Sequence, residues 1–230
     1  MDIIIPYLNN GSDELRYTLR AIERHVPHGK IIISGDCPDW ATNITYVPRV
    51  LKYPAQLDSE MNIIAGLAET TGDFILFNDD IITLKDVDEI PSWHEGDIEY
   101  VIQIKKQRAI TSPTVRHLQI TASALEKLYN IIDPLAYTLH APVVMNKDKY
   151  LTMAQDTVML LKTHQPILPR TIYGNLHQPD SAIHRDCKLY GKDDPLPDDY
   201  FVSTHEGLMN GTAGQAIKTI FSNKCKYEVQ

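Results

Sequence analysis

The first 80 residues alternate between short apolar runs and segments with helical spacing. Ile3-Ile4-Ile5 is uniformly apolar and β-branched, which is typical of a strand buried on both faces of a parallel sheet. Three further runs of this kind follow, at 30–33, 44–47 and 74–77. Helices are predicted between them, over 12–26 and 59–70. The order strand, helix, strand, strand, helix, strand predicts an α/β protein with a nucleotide-binding half.

Length and charge limit the kinds of protein that this chain can be. A chain of 230 residues forms one domain most simply. Within it we expect a nucleotide-binding half over 1–82 and a second half over 83–230, which would bind the molecule that reacts with the nucleotide ligand (the acceptor side). The formal net charge of −8 argues against a protein that binds nucleic acid over its whole surface. The three cysteines are widely spaced, there is no apolar run of about 20 residues, and the N-terminus lacks a basic leader. We therefore expect a cytoplasmic protein.

Polar side chains follow the predicted strands. Tyr7 and Asn9 come after the first strand, Asp36 after the second, and Asp79-Asp80 after the fourth. Ligands of parallel sheets bind beyond the carboxyl ends of the strands, so these side chains are expected on one rim. The first helix also begins at this rim, where its N-terminus would stabilise a phosphate.

The acidic pair Asp79-Asp80 is the strongest local signal. Carboxylates placed directly after a buried strand are costly unless a positive charge lies beside them. Mg²⁺ or Mn²⁺ is usually held by one or two carboxylates together with phosphate oxygens. The pair therefore predicts a metal bridging a nucleotide diphosphate, while the alternative is an acidic turn.

Several segments carry a family resemblance. Gly72 to Asp80 resembles the acidic metal motif of GT-A glycosyltransferases, and Asn62 lies where those enzymes often carry an asparagine. The segment 13–23, with Pro38-Asp39-Trp40, resembles the second conserved region of Stealth proteins, which are GT-A-like sugar-1-phosphate transferases of capsule synthesis. Leu139 to Pro142 resembles their third region. The resemblance covers residues 1 to 175.

The resemblance implies a GT-A fold and a metal-dependent glycosyltransferase that uses a nucleotide-diphosphate sugar, with UDP-sugar as the expected donor. The first Stealth region is absent, and residues 201–206, the nearest match to the fourth region, lack its Asn-Asp pair. Sugar-1-phosphate transfer is therefore the alternative reaction. A nucleotide-sugar-binding module without catalysis is the other alternative.

Roles for individual residues follow from these expectations. Asp80, supported by Asp79, is expected to hold Mn²⁺ or Mg²⁺. The remaining candidates for donor binding are Pro6, Tyr7, Asn9, Asp36, Lys52, Asn62 and Arg170. Lys52 and Arg170 would add positive charge beside the diphosphate, for which the guanidinium fork is well suited.

The second half supplies the remaining catalytic candidates. Asp156 is the candidate base for the acceptor hydroxyl, and an exposed helix carboxylate is its alternative. His140 would hold the donor phosphate or move a proton, unless it is structural. His205 is the candidate late metal ligand, and His184 is the alternative to it.

A basic stretch interrupts this acidic chain. Lys105, Lys106, Arg108 and Arg116 occur between Gln103 and His117 without an acidic residue. The simpler interpretation is a solvated face. The functional interpretation is a site for an acceptor that carries phosphate, such as a lipid-linked sugar or a nucleic acid. A glycan or a hydroxymethylated pyrimidine in phage DNA would then be the acceptor.

Overall fold

A five-stranded sheet forms the centre of the protein. The computed structural model describes residues 1–49, 55–107, 113–163 and 166–229. The strand order is β3-β2-β1-β4-β7. These strands are β1 (Asp2–Tyr7), β2 (Ile31–Gly35), β3 (Thr45–Pro48), β4 (Asp73–Leu76) and β7 (Val143–Asn146). The first four are parallel, and β7 runs antiparallel to β4.

Helices and two small sheets surround this sheet. The helices are α1 (Glu14–His25), α2 (Ala55–Gly66), α3 (Ile98–Gln107), α4 (Pro113–Tyr129), α5 (Lys147–Lys162), α6 (Pro169–His177) and α7 (Thr212–Ile220). Short 3-10 helices occupy Leu67–Glu69 and Glu206–Asn210. Strand β5 (Ile81–Thr83) pairs with β9 (Phe201–Ser203), and β6 (Trp93–His94) pairs with β8 (Ala182–Ile183).

The predicted fold class and the order of its first six elements are confirmed. The chain is a mixed α/β protein with a mainly parallel central sheet. The first helix begins at Glu14, two residues after the predicted start at position 12. The Ser12 hydroxyl donates to Glu14 Oε2 at 3.1 Å.

Both faces of the central sheet are buried, as the apolar runs predicted. In β1, Ile3 and Ile5 pack with Leu15 and Leu19 of α1. Ile4, which points to the other face, belongs to the core that includes α2 and α5. The rim at the carboxyl ends of the strands is therefore held between two layers of helices.

The last part of the chain returns to the first part. Strand β9 pairs with β5 so that Ser203 lies opposite Ile81. Helix α7 contributes Ile217 to a core shared with Ala21 of α1 and Ile82 of β5. This return brings residues after β9 beside the acidic motif. Among the described residues, no helix has the length and apolar character to cross a membrane.

Candidate active site

The turn that carries the acidic pair is held from two sides. The Asp80 carbonyl accepts the backbone N–H of Thr204 at 3.0 Å. The Asp79 carbonyl accepts the Thr18 hydroxyl of α1 at 2.7 Å. Residues early and late in the chain therefore fix the backbone from which both carboxylates project.

The two oxygens of the Asp80 carboxylate have different surroundings. Oδ2 accepts the Ser203 hydroxyl at 2.7 Å and lies 3.3 Å from the Lys188 ammonium. Oδ1 is buried and has no hydrogen-bond partner among the described residues. A buried carboxylate oxygen without a partner is costly, and a bound cation would satisfy it.

Three carboxyl groups crowd this site. Burial raises the pKa of Asp79 to about 7, and the neighbouring Asp80 and Glu14 add to that shift. Burial also raises the pKa of Glu14, whose Oε1 accepts the Thr204 hydroxyl at 2.8 Å. A divalent cation would relieve this crowding, and carboxylate oxygens are the ligands that Mg²⁺ and Mn²⁺ prefer. The donor set thus fits the predicted ion.

Three of the residues predicted to bind the donor, Tyr7, Asn9 and Asp36, lie together at the ends of β1 and β2. Asp36 Oδ2 accepts the Asn9 backbone N–H at 2.9 Å, and the Tyr7 hydroxyl donates to Asn9 Oδ1 at 3.4 Å. Burial, together with the charges of Asp79 and Asp36, raises the pKa of Tyr7 to about 12. Tyr7 is therefore influenced by a carboxylate of the acidic pair as well as by Asp36.

The carboxyl ends of β1 and β2 lie close to each other and to α2 beneath these polar side chains. Gly35 has a φ of +126°, and a Cβ there would lie 2.2 Å from the Tyr7 carbonyl and 3.0 Å from Asn62 Nδ2. The Ser34 hydroxyl donates to the Asn62 carbonyl at 2.6 Å, and Pro6 lies opposite Ser34 in the sheet. Only glycine fits here without strain.

Arg49, which was not among the predicted site residues, lies at the same rim as Asp36. Its Nη2 lies 3.1 Å from Asp58 Oδ2 and 3.9 Å from Asp36 Oδ2. The signal available in the sequence was a cation directly after β3. Lys52, which was selected for a similar role, lies outside the described residues.

His140 is oriented by the carboxylate of Asp186, which was not among the predicted site residues. Its Nδ1 lies 3.0 Å from Asp186 Oδ1, and its backbone N–H donates to the same oxygen at 2.9 Å. Burial raises the pKa of Asp186, but the hydrogen bonds from His140 outweigh that effect and lower it. The contact spans 46 positions, so no local pattern could have revealed it.

Arg170 connects this pair to the acidic motif. Its Nη2 donates to the Ala141 carbonyl. Burial lowers the pKa of Arg170 to about 10, while the nearby Asp80, Tyr150 and Asp186 counteract that shift. The half-buried guanidinium therefore provides positive charge near both Asp80 and Asp186.

Of two further predicted residues, only His205 is adjacent in the chain to a contact of the acidic motif, because it follows Thr204, whose backbone N–H donates to the Asp80 carbonyl at 3.0 Å. Asp156 is exposed on α5, where its Oδ2 accepts the Tyr129 hydroxyl at 2.7 Å. His205 is exposed at the start of the second 3-10 helix. The hydrogen bonds and ion pairs of the described ranges join neither residue to Asp79 or Asp80.

A second group of metal-ligating side chains lies on the segment leading to β9. Ligand atoms of His184, Cys187 and Asp199 all fall within 4.8 Å of one another. These three side chains could together hold a metal ion. His184 therefore belongs with these residues rather than with Asp80.

The basic stretch divides into different environments. Lys105 Nζ lies 3.7 Å from Glu95 Oε1, and its side chain is 17% exposed. Lys106 and Arg116 are exposed, and Arg108 lies outside the described residues. A cavity of about 480 Å³ opens beside Lys105. Its polar lining includes Glu95, Lys105, Asp186, Lys188 and Tyr190.

Comparison with known sequences finds two curated relatives. No protein-family model matches the chain. The relatives are the alpha/beta subunits of N-acetylglucosamine-1-phosphotransferase from Mus musculus and Homo sapiens, each 32% identical over 111 residues. Each match covers 39% of this chain, but only 9% of the mouse protein and 8% of the human protein. The matched part is therefore a small portion of those relatives.

The solved structures that are similar to this chain include glycosyltransferases. The galactosyltransferase LgtC, solved with donor and acceptor sugar analogs, is 12% identical with a TM-score of 0.45, over 80% of this chain and 73% of that chain. GlyE from Streptococcus pneumoniae TIGR4 is 10% identical with a TM-score of 0.43, over 80% and 44%. The bifunctional WbbM is 12% identical with a TM-score of 0.47, over 76% and 38%.

Proposed function

We propose that this chain is a metal-dependent transferase of the GT-A type that moves a sugar from a nucleotide-diphosphate sugar to a hydroxyl acceptor. The observation that carries the proposal is the acidic pair after β4, in which Asp80 Oδ1 is buried without a hydrogen-bond partner among the described residues. An oxygen in this position has the chemistry of a cation ligand. The same rim carries the residues that the sequence assigned to a nucleotide.

Asp80 and Asp79 would hold Mn²⁺ or Mg²⁺ against the donor diphosphate. Ser203 and Lys188 restrain Asp80 Oδ2, which leaves Oδ1 for the ion. Such an ion supplies Lewis-acid stabilisation of the leaving diphosphate, an effect of several kcal/mol. When no ion is bound, Lys188 neutralises part of the charge of the Asp80 carboxylate.

The nucleoside would bind at the ends of β1 and β2. Tyr7 offers a ring face, and Asn9 and Asp36 offer polar groups for a base or ribose. Their mutual hydrogen bonds fix these groups before the donor arrives, which reduces the entropic cost of binding. We assign uridine to this position, as the family resemblance implies.

The transferring end of the donor would meet Arg170 and His140. Arg170 would place its guanidinium against the negative charge that develops on the diphosphate. Asp186 accepts from His140 Nδ1, which leaves Nε2 with its lone pair to take a proton from the acceptor hydroxyl. Asp156, the other candidate base, lies on the surface of α5, where it accepts the hydroxyl of Tyr129 from α4, and this proposal does not use it.

The acceptor would enter through the cavity beside Lys105. This cavity borders Asp186 and Lys188, so an acceptor in it would lie next to the proposed base and to the acidic site. Lys106 and Arg116 add exposed positive charge in the same part of the chain. A glycan, or a nucleic acid with a modified pyrimidine, is the acceptor class that we propose.

Sugar-1-phosphate transfer is the second candidate. The matches to N-acetylglucosamine-1-phosphotransferase subunits favour it specifically. The acceptor hydroxyl would then attack phosphorus, and the bond between the two phosphates would break. The same metal, the same cations and the same histidine would serve both reactions.

Product analysis tests the proposal and separates the two reactions. The purified chain is incubated with a panel of UDP-sugars and Mn²⁺, and released nucleotide is resolved by ion-exchange chromatography. Release of UDP identifies glycosyl transfer or its hydrolytic side reaction, whereas release of UMP identifies phosphotransfer. Tight donor binding with neither product would indicate a binding module. No binding of any nucleotide sugar with metal would contradict the proposal.

A further inference from the structure

A sulfur-containing ligand set lies outside the carboxylate site. Its members are His184 at the end of β8, Cys187, and Asp199 just before β9, with ligand atoms within 4.8 Å of one another. We propose that this set binds Zn²⁺ and that the ion fixes the loop 188–198 beside the active site.

The spacing of the ligand atoms suits zinc. Tetrahedral zinc with bonds of about 2.0–2.3 Å places its ligand atoms about 3.3–3.8 Å apart. His184 Nε2 and Asp199 Oδ1 already lie 3.8 Å apart. The thiol, whose sulfur lies within 4.8 Å of the other two ligand atoms, must therefore move by roughly 1.5 Å at most, which a side-chain rotation supplies.

The orientation of His184 is an independent sign of a ligand. Its Nδ1 lies 2.8 Å from the Arg185 carbonyl, so Nδ1 carries the proton and Nε2 presents its lone pair to Cys187 and Asp199. Zinc-bound histidines characteristically donate the other ring N–H to such a carbonyl. The Trp93 ring stacks on the imidazole at 3.8 Å between centroids and 8° between planes, which holds the ring in place.

The donor set selects a different ion from the acidic site. One thiolate and one carboxylate together neutralise a divalent charge, and imidazole and thiolate favour zinc over magnesium. Cys187 is only 6% exposed, which is too buried for a nucleophile that must reach a substrate. Arg185 Nη2 lies 3.6 Å from Asp199 Oδ2, but the Arg185 side chain is 74% exposed and can yield to an ion at little cost.

The position of the set explains what the ion would do. Cys187 lies between Asp186, which orients His140, and Lys188, which contacts Asp80. The Cys187 carbonyl accepts the backbone N–H of Ser203, the residue that holds Asp80 Oδ2. Fixing Cys187 therefore restrains the segment that carries the positioning groups of the site, while the ion remains separate from the chemistry.

Cobalt substitution tests the site without using activity. The chain is stripped of metal and titrated with Co²⁺, a spectroscopic substitute for Zn²⁺ that shows a thiolate-to-cobalt charge-transfer band in the near ultraviolet. We expect this band to saturate at one ion per chain and Zn²⁺ to displace it. Cys187→Ser should abolish the band and weaken Zn²⁺ binding at least tenfold.

Two matched variants complete the experiment. Cys225→Ser removes another buried thiol and should keep the band, as should Asp80→Asn, which alters only the acidic site. Absence of the band in the wild-type chain would overturn the proposal even if Cys187→Ser fails to fold. Loss of the band in Cys225→Ser would also overturn it, because the thiolate ligand would then be a different cysteine. Loss in Asp80→Asn would refute a site separate from the acidic pair.

Discussion

The Ser203 hydroxyl donates to Asp80 Oδ2 at 2.7 Å, although the two residues are 123 positions apart. The pairing of β9 with β5 produces this contact, because Ser203 lies opposite Ile81. The acidic motif is therefore completed by a segment near the end of the chain. Restraining one oxygen of Asp80 leaves the other as the atom available to a cation.

Replacing the Asp80 carboxylate by an amide removes its charge but keeps its shape, so the effect on catalysis can be measured apart from any effect on stability. We expect Asp80→Asn to lower kcat at least about 100-fold, since a group that stabilises developing charge has effects of this size. The amide can still accept from Ser203, so the melting temperature should stay close to that of the wild type. Steady-state kinetics with excess Mn²⁺ and a thermal melt measure both quantities.

An exposed carboxylate provides the control for that experiment. Asp148→Asn on α5 removes the same charge at the surface and should leave kcat unchanged. If Asp80→Asn retained most of its turnover at saturating metal, the assignment of the acidic pair to the metal would be wrong.

The pair His140 and Asp186 should affect kcat more than donor binding. His140→Ala should lower kcat by a factor of about 10²–10⁴, the usual contribution of a general base. Asp186→Asn should cause a smaller loss, because the imidazole remains but loses the carboxylate that orients it. UDP affinity, measured by calorimetry with Mn²⁺, should change little in both variants. A large loss of UDP affinity with unchanged kcat would instead assign His140 to the donor phosphate.

The exposed end of the basic stretch should act on the acceptor. Lys106→Ala should raise KM for an acceptor that carries phosphate, and this defect should shrink as salt rises, since the Debye length is about 8 Å at physiological ionic strength. Lys105→Ala should show a weaker dependence on salt, because Glu95 already pairs with Lys105. Acceptor kinetics at low and high salt measure the effect. Unchanged acceptor KM in Lys106→Ala at low salt would identify this stretch as a solvated face.

Local patterns in the sequence sufficed for the first half of the fold. Strands buried on both faces need uniformly apolar runs, and α1 needs apolar residues at helical spacing. Each of these patterns can be recognised within a short stretch of sequence. Asn9 and Asp36 were predictable for the same reason, because parallel strands end on a common edge. Their contact at 2.9 Å follows from that topology.

Long-range contacts could not be predicted in this way. Asp186 and Lys188 act on residues 46 and 108 positions away, and their chain segment has no regular spacing that marks it. The partner of Asp156 was hidden for the same reason, since Tyr129 lies on another helix. Pairing between distant segments depends on tertiary packing, which no single window of sequence contains.

Glu60 should make stability depend on pH near neutrality. Burial raises the pKa of Glu60 to about 7, although Tyr150 and Thr157 donate to its carboxylate and counteract that shift. A carboxyl group with a raised pKa in the folded state favours folding while it is protonated. Stability should therefore be lost as pH rises from about 4.5 to about 7.

A neutral isostere should remove this dependence. Glu60→Gln should be more stable than the wild type at pH 8, by up to roughly 3 kcal/mol, and the difference should shrink at pH 5. Urea unfolding at the two pH values measures it, with the exposed Glu126→Gln on α4 as the control. A variant that is less stable than the wild type at pH 8 would show that Glu60 is charged and needed in that form.

The side-chain carboxylate of Glu228, near the end of the chain, should make stability depend on pH in the opposite direction. Burial alone would raise its pKa, but the hydrogen bonds from Arg20 and Arg16 outweigh burial and lower the pKa to about 2. A carboxylate with a lowered pKa stabilises the folded state at neutral pH and loses that effect as pH falls from about 4.5 toward 2. Glu228→Gln should therefore lower the free energy of unfolding at pH 7 by roughly 3 kcal/mol, since it also leaves two guanidinium groups without this carboxylate partner.

Urea unfolding of the wild type and the variants between pH 7 and pH 3 measures this effect. The exposed Glu89→Gln is the control and should have the same stability as the wild type. If the wild type and Glu228→Gln differed by the same free energy at every pH, the lowered pKa would not be the cause of the difference.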